Sequence, residues 1–253
     1  MQVIPEIITL GLTASLIAGL ATGIGALPVL VKADFSRKTL DIMLGLAAGV
    51  MLAASAFSLL VPALEHPLGG VWVVAVGFAI GGFFLHIADK YIPHEHFQKG
   101  CEGPSSNMSR IWLLVIAITI HNFPEGLAVG VAFGSESIGT GVAIAIAIGL
   151  QNIPEGLAVA APLVREGYSK WKAAGIALLT GLVEPIGGLI GVSVVTFAVF
   201  LLPYGLAFAA GAMIFVVSDE MVPESHVGGY ERLATFGLMV GFILMMILDN
   251  VFG

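Results

Sequence analysis

From Ala173 to Ser218 the only charged side chain is Glu184. A stretch this long and apolar overshoots one bilayer crossing, which takes roughly 20 apolar residues. The turn residues Pro203 and Gly205, in LLPYGL, predict where it divides into two crossings. The rest of the chain repeats the pattern. Only 11% of the 253 residues are charged and 58% are hydrophobic, whereas soluble domains carry about 25% charged residues. Most of the chain is therefore solvated by lipid. Apolar runs predict an all-α integral membrane fold with eight transmembrane helices, at about 5–31, 39–63, 70–92, 110–133, 139–164, 172–201, 204–221 and 233–252. Together they make a single transmembrane domain over 1–253. The run ending at Val31 reads as a first span rather than a cleaved signal, because no basic segment precedes it and it is too long. The one cysteine, Cys101, excludes an intramolecular disulfide and a four-thiolate metal site.

The basic residues test this division. With alternating crossings, all 10 Lys and Arg residues, from Lys32 to Arg232, fall on one face of the membrane. Glu65, His66, Glu136 and Asp249 fall on the other. Positive-inside bias then predicts a multi-pass protein of the cell membrane, inner or plasma, with both termini outside the cytosol. It also makes 93–109 a cytosolic, histidine-bearing loop. Merging the two spans around Pro203 would move Arg232 to the outer face and break the pattern. Small residues, as in GLAAGVMLAAS from Gly45, are read as helix packing rather than chemistry.

Against this background HNFPEGLAVG, from His121, and QNIPEGLAVA, from Gln151, stand out. His121 lies eleven residues into the fourth span and Gln151 twelve into the fifth, which at about 1.5 Å per residue puts both near mid-membrane depth. An ionisable group there costs at least about 2.5–3.5 kcal/mol, so it marks function by default. On a helix, His121, Asn122 and Glu125 fan over one face, as do Gln151, Asn152 and Glu155. Pro124 and Pro154 cannot donate to the carbonyls of Ile120 and Leu150, which predicts a broken helix beside each polar cluster. Glu184, followed by Pro185, lies at similar depth in the sixth span. Three carboxylates, three amides and one imidazole suit a cation, and the imidazole favours Zn²⁺, Fe²⁺, Mn²⁺ or Co²⁺ over Mg²⁺ or Ca²⁺. The structural alternative is that the amides merely hydrogen-bond between helices, which fits Asn122 or Asn152 alone better than the doubled, proline-marked set.

HNFPEG and QNIPEG resemble the paired fourth- and fifth-helix signatures of the ZIP (Zrt-, Irt-like) family of metal-ion transporters, and the likeness extends over essentially the full chain. The resemblance implies a divalent-metal site for one or two ions with His121, Asn122, Glu125, Gln151, Asn152 and Glu155 as ligands. Glu184 matches the sixth-helix carboxylate, and Met51 matches a second-helix contributor of bacterial members. It implies transport of Zn²⁺ into the cytosol by alternating access, with spans one, four, five and six moving against two, three, seven and eight. The eight spans are accordingly expected in a 3+2+3 pseudo-symmetric arrangement. Gln151 replaces a histidine common in the family, and Asn152 an acid found in some bacterial members. Both changes lower ligand basicity or charge and predict breadth across Zn²⁺, Cd²⁺, Fe²⁺ and Mn²⁺.

His86, Asp89, His94 and His96 on one side, and Asp219, Glu220, Glu224 and His226 on the other, form a candidate cytosolic exit station; the alternative is a solvated interface. Two other functions stay open. An intramembrane metal-dependent hydrolase would keep three ligands and an open position for water, yet no HExxH pair exists and one histidine alone lies deep. A metal-selective channel could use the same ligands. The expected partners are divalent metal ions, the lipid bilayer and a second copy of the chain in a homodimer; nucleic acid is not among them.

Overall fold

A computed structural model of the chain describes residues 3–32, 34–96, 100–102, 109–134 and 138–252, with the backbone alone at 3–4, 94–96, 100–102, 110 and 252. Among them, eight helical segments are long and apolar enough to cross a membrane: Pro5–Val31, Arg37–Glu65, Val71–Tyr91, Ile111–Phe133, Ile138–Arg165, Lys170–Phe197, Val199–Ser225 and Glu231–Val251. Local chemistry sets several of their boundaries. Ser36 and Ser169 cap the second and sixth spans, their hydroxyls accepting from the Thr39 and Lys172 amides. Gly70, Gly167 and Gly229 stand at positive φ in three of the connecting turns, a conformation that costs a side-chain-bearing residue far more.

Two expectations about breaks need correction. The division between the sixth and seventh spans lies at Ala198 (φ −135°, ψ 71°), ahead of LLPYGL, and a 3₁₀ turn Val199–Leu201 leads on. Pro203 opens the helix Leu202–Val216, where its missing N–H is one of the orphaned donors anyway. The mid-span break also falls elsewhere. Pro124 and Pro154 sit inside the continuous helices Arg110–Phe133 and Ile138–Arg165. The sixth span is the interrupted one, with Lys170–Gly181 and Glu184–Phe197 separated at Leu182 and Val183. Pro185 cannot complete the ladder there, so the interruption lands on Glu184. Two stretches are π-helical, Ala54–Leu60 in the second span and Val217–Met221 in the seventh. Among the described residues, the one departure from helix and turn lies outside the spans, where His94–His96 pairs antiparallel with Gly100–Glu102.

The spans pack in pairs: the first with the fifth and sixth, the fourth with the fifth and sixth, the second with the eighth, and the third with the seventh. The second also meets the fifth, and the seventh meets the fourth. Exchanging one with six, two with seven, three with eight and four with five carries this set of pairs onto itself. The repeated phrase follows the same exchange. A Cβ on Gly126 would run into the Glu184 carbonyl of the sixth span, and one on Gly156 into the Thr22 carbonyl of the first. Close backbone approach is what small residues provide in lipid, where no hydrophobic force drives helices together. Part of the reason for writing the phrase twice is therefore packing.

Candidate metal site

The seven polar residues singled out at mid-span depth, His121, Asn122, Glu125, Gln151, Asn152, Glu155 and Glu184, are all buried. Three spans bring them together. Asn152 Nδ2 donates to Glu184 Oε1 at 2.6 Å and to the Ala18 carbonyl at 2.8 Å, while Gln151 Nε2 donates to Asn152 Oδ1 at 3.3 Å. Glu125, Glu155 and Glu184 lie near enough to one another for their charges to interact. His121, Glu125 and Glu155 line one narrow cavity of about 30 Å³, together with Glu220 and Glu224. That is room for about one water or one bare cation.

The hydrogen-bond ledger of the site is incomplete. Both polar atoms of Asn122, together with Glu125 Oε2, Gln151 Oε1 and Glu184 Oε2, are buried with no hydrogen-bond partner among the described residues. Each such group costs about 1–3 kcal/mol when left unmade, more for a charged one. A set of orphaned oxygens beside an imidazole is what a divalent cation would satisfy. The donor chemistry, carboxylate and amide oxygens with one nitrogen, suits borderline transition metals.

Sequence reasoning did not foresee the link from this set to the seventh span. His121 Nε2 lies 2.7 Å from Glu220 Oε1, both residues buried. Carboxylate oxygens of Glu220, Asp219 and Asp89 all lie within 4.8 Å of one another. The π-helical turn Val217–Met221 carries two of these three acids, and such turns recur at functional sites because they re-aim side chains. Three of the eight candidate exit residues, Asp89, Asp219 and Glu220, are thus gathered next to His121. His86 is not among them: it is exposed, stacked on Phe83 with ring centroids 6.1 Å apart and edge-on to Phe215. The side chains of His94, His96 and Cys101, and the whole of Glu136, lie outside the described residues. His226 is held locally, with Nε2 3.1 Å from Thr235 Oγ1 and Nδ1 2.8 Å from the Val222 carbonyl. Met51 is buried in the hydrophobic core with Ala18 and Val50, whereas Leu44, two turns earlier on the same span, lines the cavity.

A family profile described as ZIP zinc transporter matches residues 94–249. The chain is 50% identical over 251 residues to the zinc transporter GufA of Myxococcus xanthus, covering 96% of this chain and 99% of that one. It is 44% identical over 241 residues to the zinc transporter ZIPB of Bordetella bronchiseptica, covering 92% and 78%. The zinc transporter ZIP11 of Homo sapiens is 38% identical over 317 residues, covering 90% and 93%.

Proposed function

The chain belongs to the ZIP zinc-transporter family, and from that premise we propose that it carries Zn²⁺ through the membrane and into the cytosol. Its relatives are named as transporters, so it is not an enzyme, and the hydrolase alternative falls. The observation that carries the reading is the convergence of Glu125 and Glu155, one from each copy of the phrase, on a single buried cavity with His121. The metal, as transported substrate, is held there by His121, Asn122, Glu125, Gln151, Asn152, Glu155 and Glu184, as one ion or two. Met51 joins in the state where the second span approaches. Because Gln151 and Asn152 are neutral, the site also accepts Cd²⁺, Fe²⁺ and Mn²⁺.

Release toward the basic end of the molecule runs through Glu220, Asp219 and Asp89. The imidazole of His121 is shared between the two stations, because it already contacts Glu220 from within the first. Transport proceeds by alternating access. The pairing of spans one, four, five and six, and separately of two with eight and three with seven, supports two bodies that move against each other. Under the positive-inside bias the basic end lies in the cytosol and both termini outside it. The exchange of partners noted above is what a 3+2+3 arrangement with an inverted repeat produces.

Metal flux into proteoliposomes tests this reading. Zn²⁺, Cd²⁺, Fe²⁺, Mn²⁺ and Mg²⁺ are offered to the wild type and to the folded Glu125→Ala, Glu155→Ala double variant. Saturable Zn²⁺ flux lost in the variant is expected. Linear, non-saturating flux would replace the carrier by a channel, and stoichiometric metal binding without flux would remove the transport reading.

A further inference from the structure

At the basic end, Asp41 is fully buried one turn into the second span, where a lone carboxylate would be very costly. Arg37 Nε lies 2.7 Å from Asp41 Oδ1, and Arg37 Nη2 reaches away from its own span to donate to the Glu224 carbonyl at 2.8 Å. The Gly228 backbone lies against the other face of the pair, so close that a Cβ there would collide with Asp41 Oδ2 and Arg37 Cγ. The two residues therefore grip both ends of the stretch from Glu224 to Gly228. That stretch begins three residues after the end of the π-helical turn of Asp219 and Glu220, and Glu224 itself lines the cavity.

An ion pair at i, i+4 on a helix surface adds only about 0.3–0.5 kcal/mol. This one does something such pairs do not. The planar guanidinium spends one donor on the carboxylate and another on a carbonyl of a different span, which a single ammonium at the same reach does not reproduce. Within the transport reading above, on which this inference rests, we propose that Arg37 and Asp41 are positioning residues. They hold the Val222–Gly228 segment so that Glu220 and Glu224 face the cavity, and thereby set the rate at which metal leaves it.

Arg37→Gln, Asp41→Asn and Gly228→Ala test the idea from three sides, the last leaving both charges in place. Two readouts are taken on folded, purified protein: saturable Zn²⁺ uptake into proteoliposomes, and amide hydrogen exchange of residues 222–228. The expected result is faster exchange in that segment in all three variants. Maximal uptake should fall at least fivefold with KM changed less than twofold, and Arg37→Lys should recover less than half of the wild-type rate. Unchanged exchange, or maximal uptake within twofold of wild type per folded molecule, overturns the proposal, as does full rescue by Arg37→Lys. The wild-type flux and its loss in Glu125→Ala judge the transport reading separately. If the wild type carries no Zn²⁺, that reading fails, and the positioning role fails with it unless the exchange difference appears.

Discussion

The His121 imidazole and the Glu220 carboxylate lie 2.7 Å apart, joining the first copy of the repeated phrase to the π-helical turn of the seventh span. His121 lines one cavity with Glu125, Glu155 and Glu220, and Glu220 in turn lies within 4.8 Å of Asp219 and Asp89. A metal ion that moves from the first set to the second can keep the imidazole while it exchanges carboxylates. Removing Glu220 should then spare loading and hinder departure. Glu220→Gln is expected to leave the equilibrium Kd for Zn²⁺ within about threefold, since less than about 0.7 kcal/mol is then lost. Maximal uptake should fall at least tenfold. Calorimetric binding on the purified protein, set beside proteoliposome flux, measures the two separately; a Kd weakened in proportion to the rate would make Glu220 an ordinary ligand instead.

The buried carboxylates oppose folding when no cation is present. Glu125 Oε2 and Glu184 Oε2 have no hydrogen-bond partner among the described residues, and neighbouring carboxylates repel one another. Glu125→Gln should therefore raise the melting temperature of the metal-free protein, by the equivalent of about 1–2 kcal/mol. The same substitution should abolish the further stabilisation that saturating Zn²⁺ gives the wild type. Thermal unfolding in detergent with chelator and with Zn²⁺ shows both effects. A metal-free variant less stable than the wild type would mean that Glu125 is a structural hydrogen-bonding group rather than a ligand.

The eight spans were legible because lipid burial needs only length and apolarity, which a one-dimensional reading records directly. The buried polar cluster on the fourth, fifth and sixth spans was legible for a related reason: polar groups at mid-span depth are costly and stand out, and helical spacing fixes their common face. Three things were not legible. The position of the helix break depends on which proline the neighbouring spans can accommodate, so Pro124 and Pro154 stay within continuous helices while Glu184 and Pro185 begin a new one. Glu220 meets His121 from within a π-helical turn, and no composition signal announces one. The grip of Arg37 on the Glu224 carbonyl spans 187 residues of sequence, and a backbone carbonyl has no letter to read.

Metal affinity should depend steeply on pH. The ligands bind as neutral imidazole and ionised carboxylate, so every proton they hold competes with the cation. Lowering the pH from 7.5 to 5.5 crosses the ordinary range of histidine, about 6.5, and approaches that of carboxylates crowded together. Protonation of His121 over that interval weakens binding, and any carboxylate that also takes up a proton adds to this. Calorimetry in buffers of different ionisation enthalpy should show proton release on Zn²⁺ binding at pH 6.5. An affinity that is flat between pH 5.5 and 7.5 would remove His121 from the ligand set.

The glycine of each repeated phrase carries a prediction of its own. Gly126 faces the Glu184 carbonyl and Gly156 the Thr22 carbonyl, each so near that an added methyl group would meet backbone rather than a side chain able to swing away. Overpacking of this kind costs about 1–3 kcal/mol. Gly126→Ala and Gly156→Ala should therefore lower stability in detergent by similar amounts, because they sit at corresponding contacts. Their effects on function should differ. Displacing Glu184 moves a carboxylate that accepts a hydrogen bond from Asn152 at 2.6 Å, so Gly126→Ala should also weaken Zn²⁺ binding by at least fivefold. Displacing Thr22 moves the first span, whose Ala18 carbonyl accepts from Asn152 at 2.8 Å, so Gly156→Ala should weaken binding less than Gly126→Ala does in the protein that stays folded. A Kd unchanged in folded Gly126→Ala would mean that Glu184 takes no part in holding the metal.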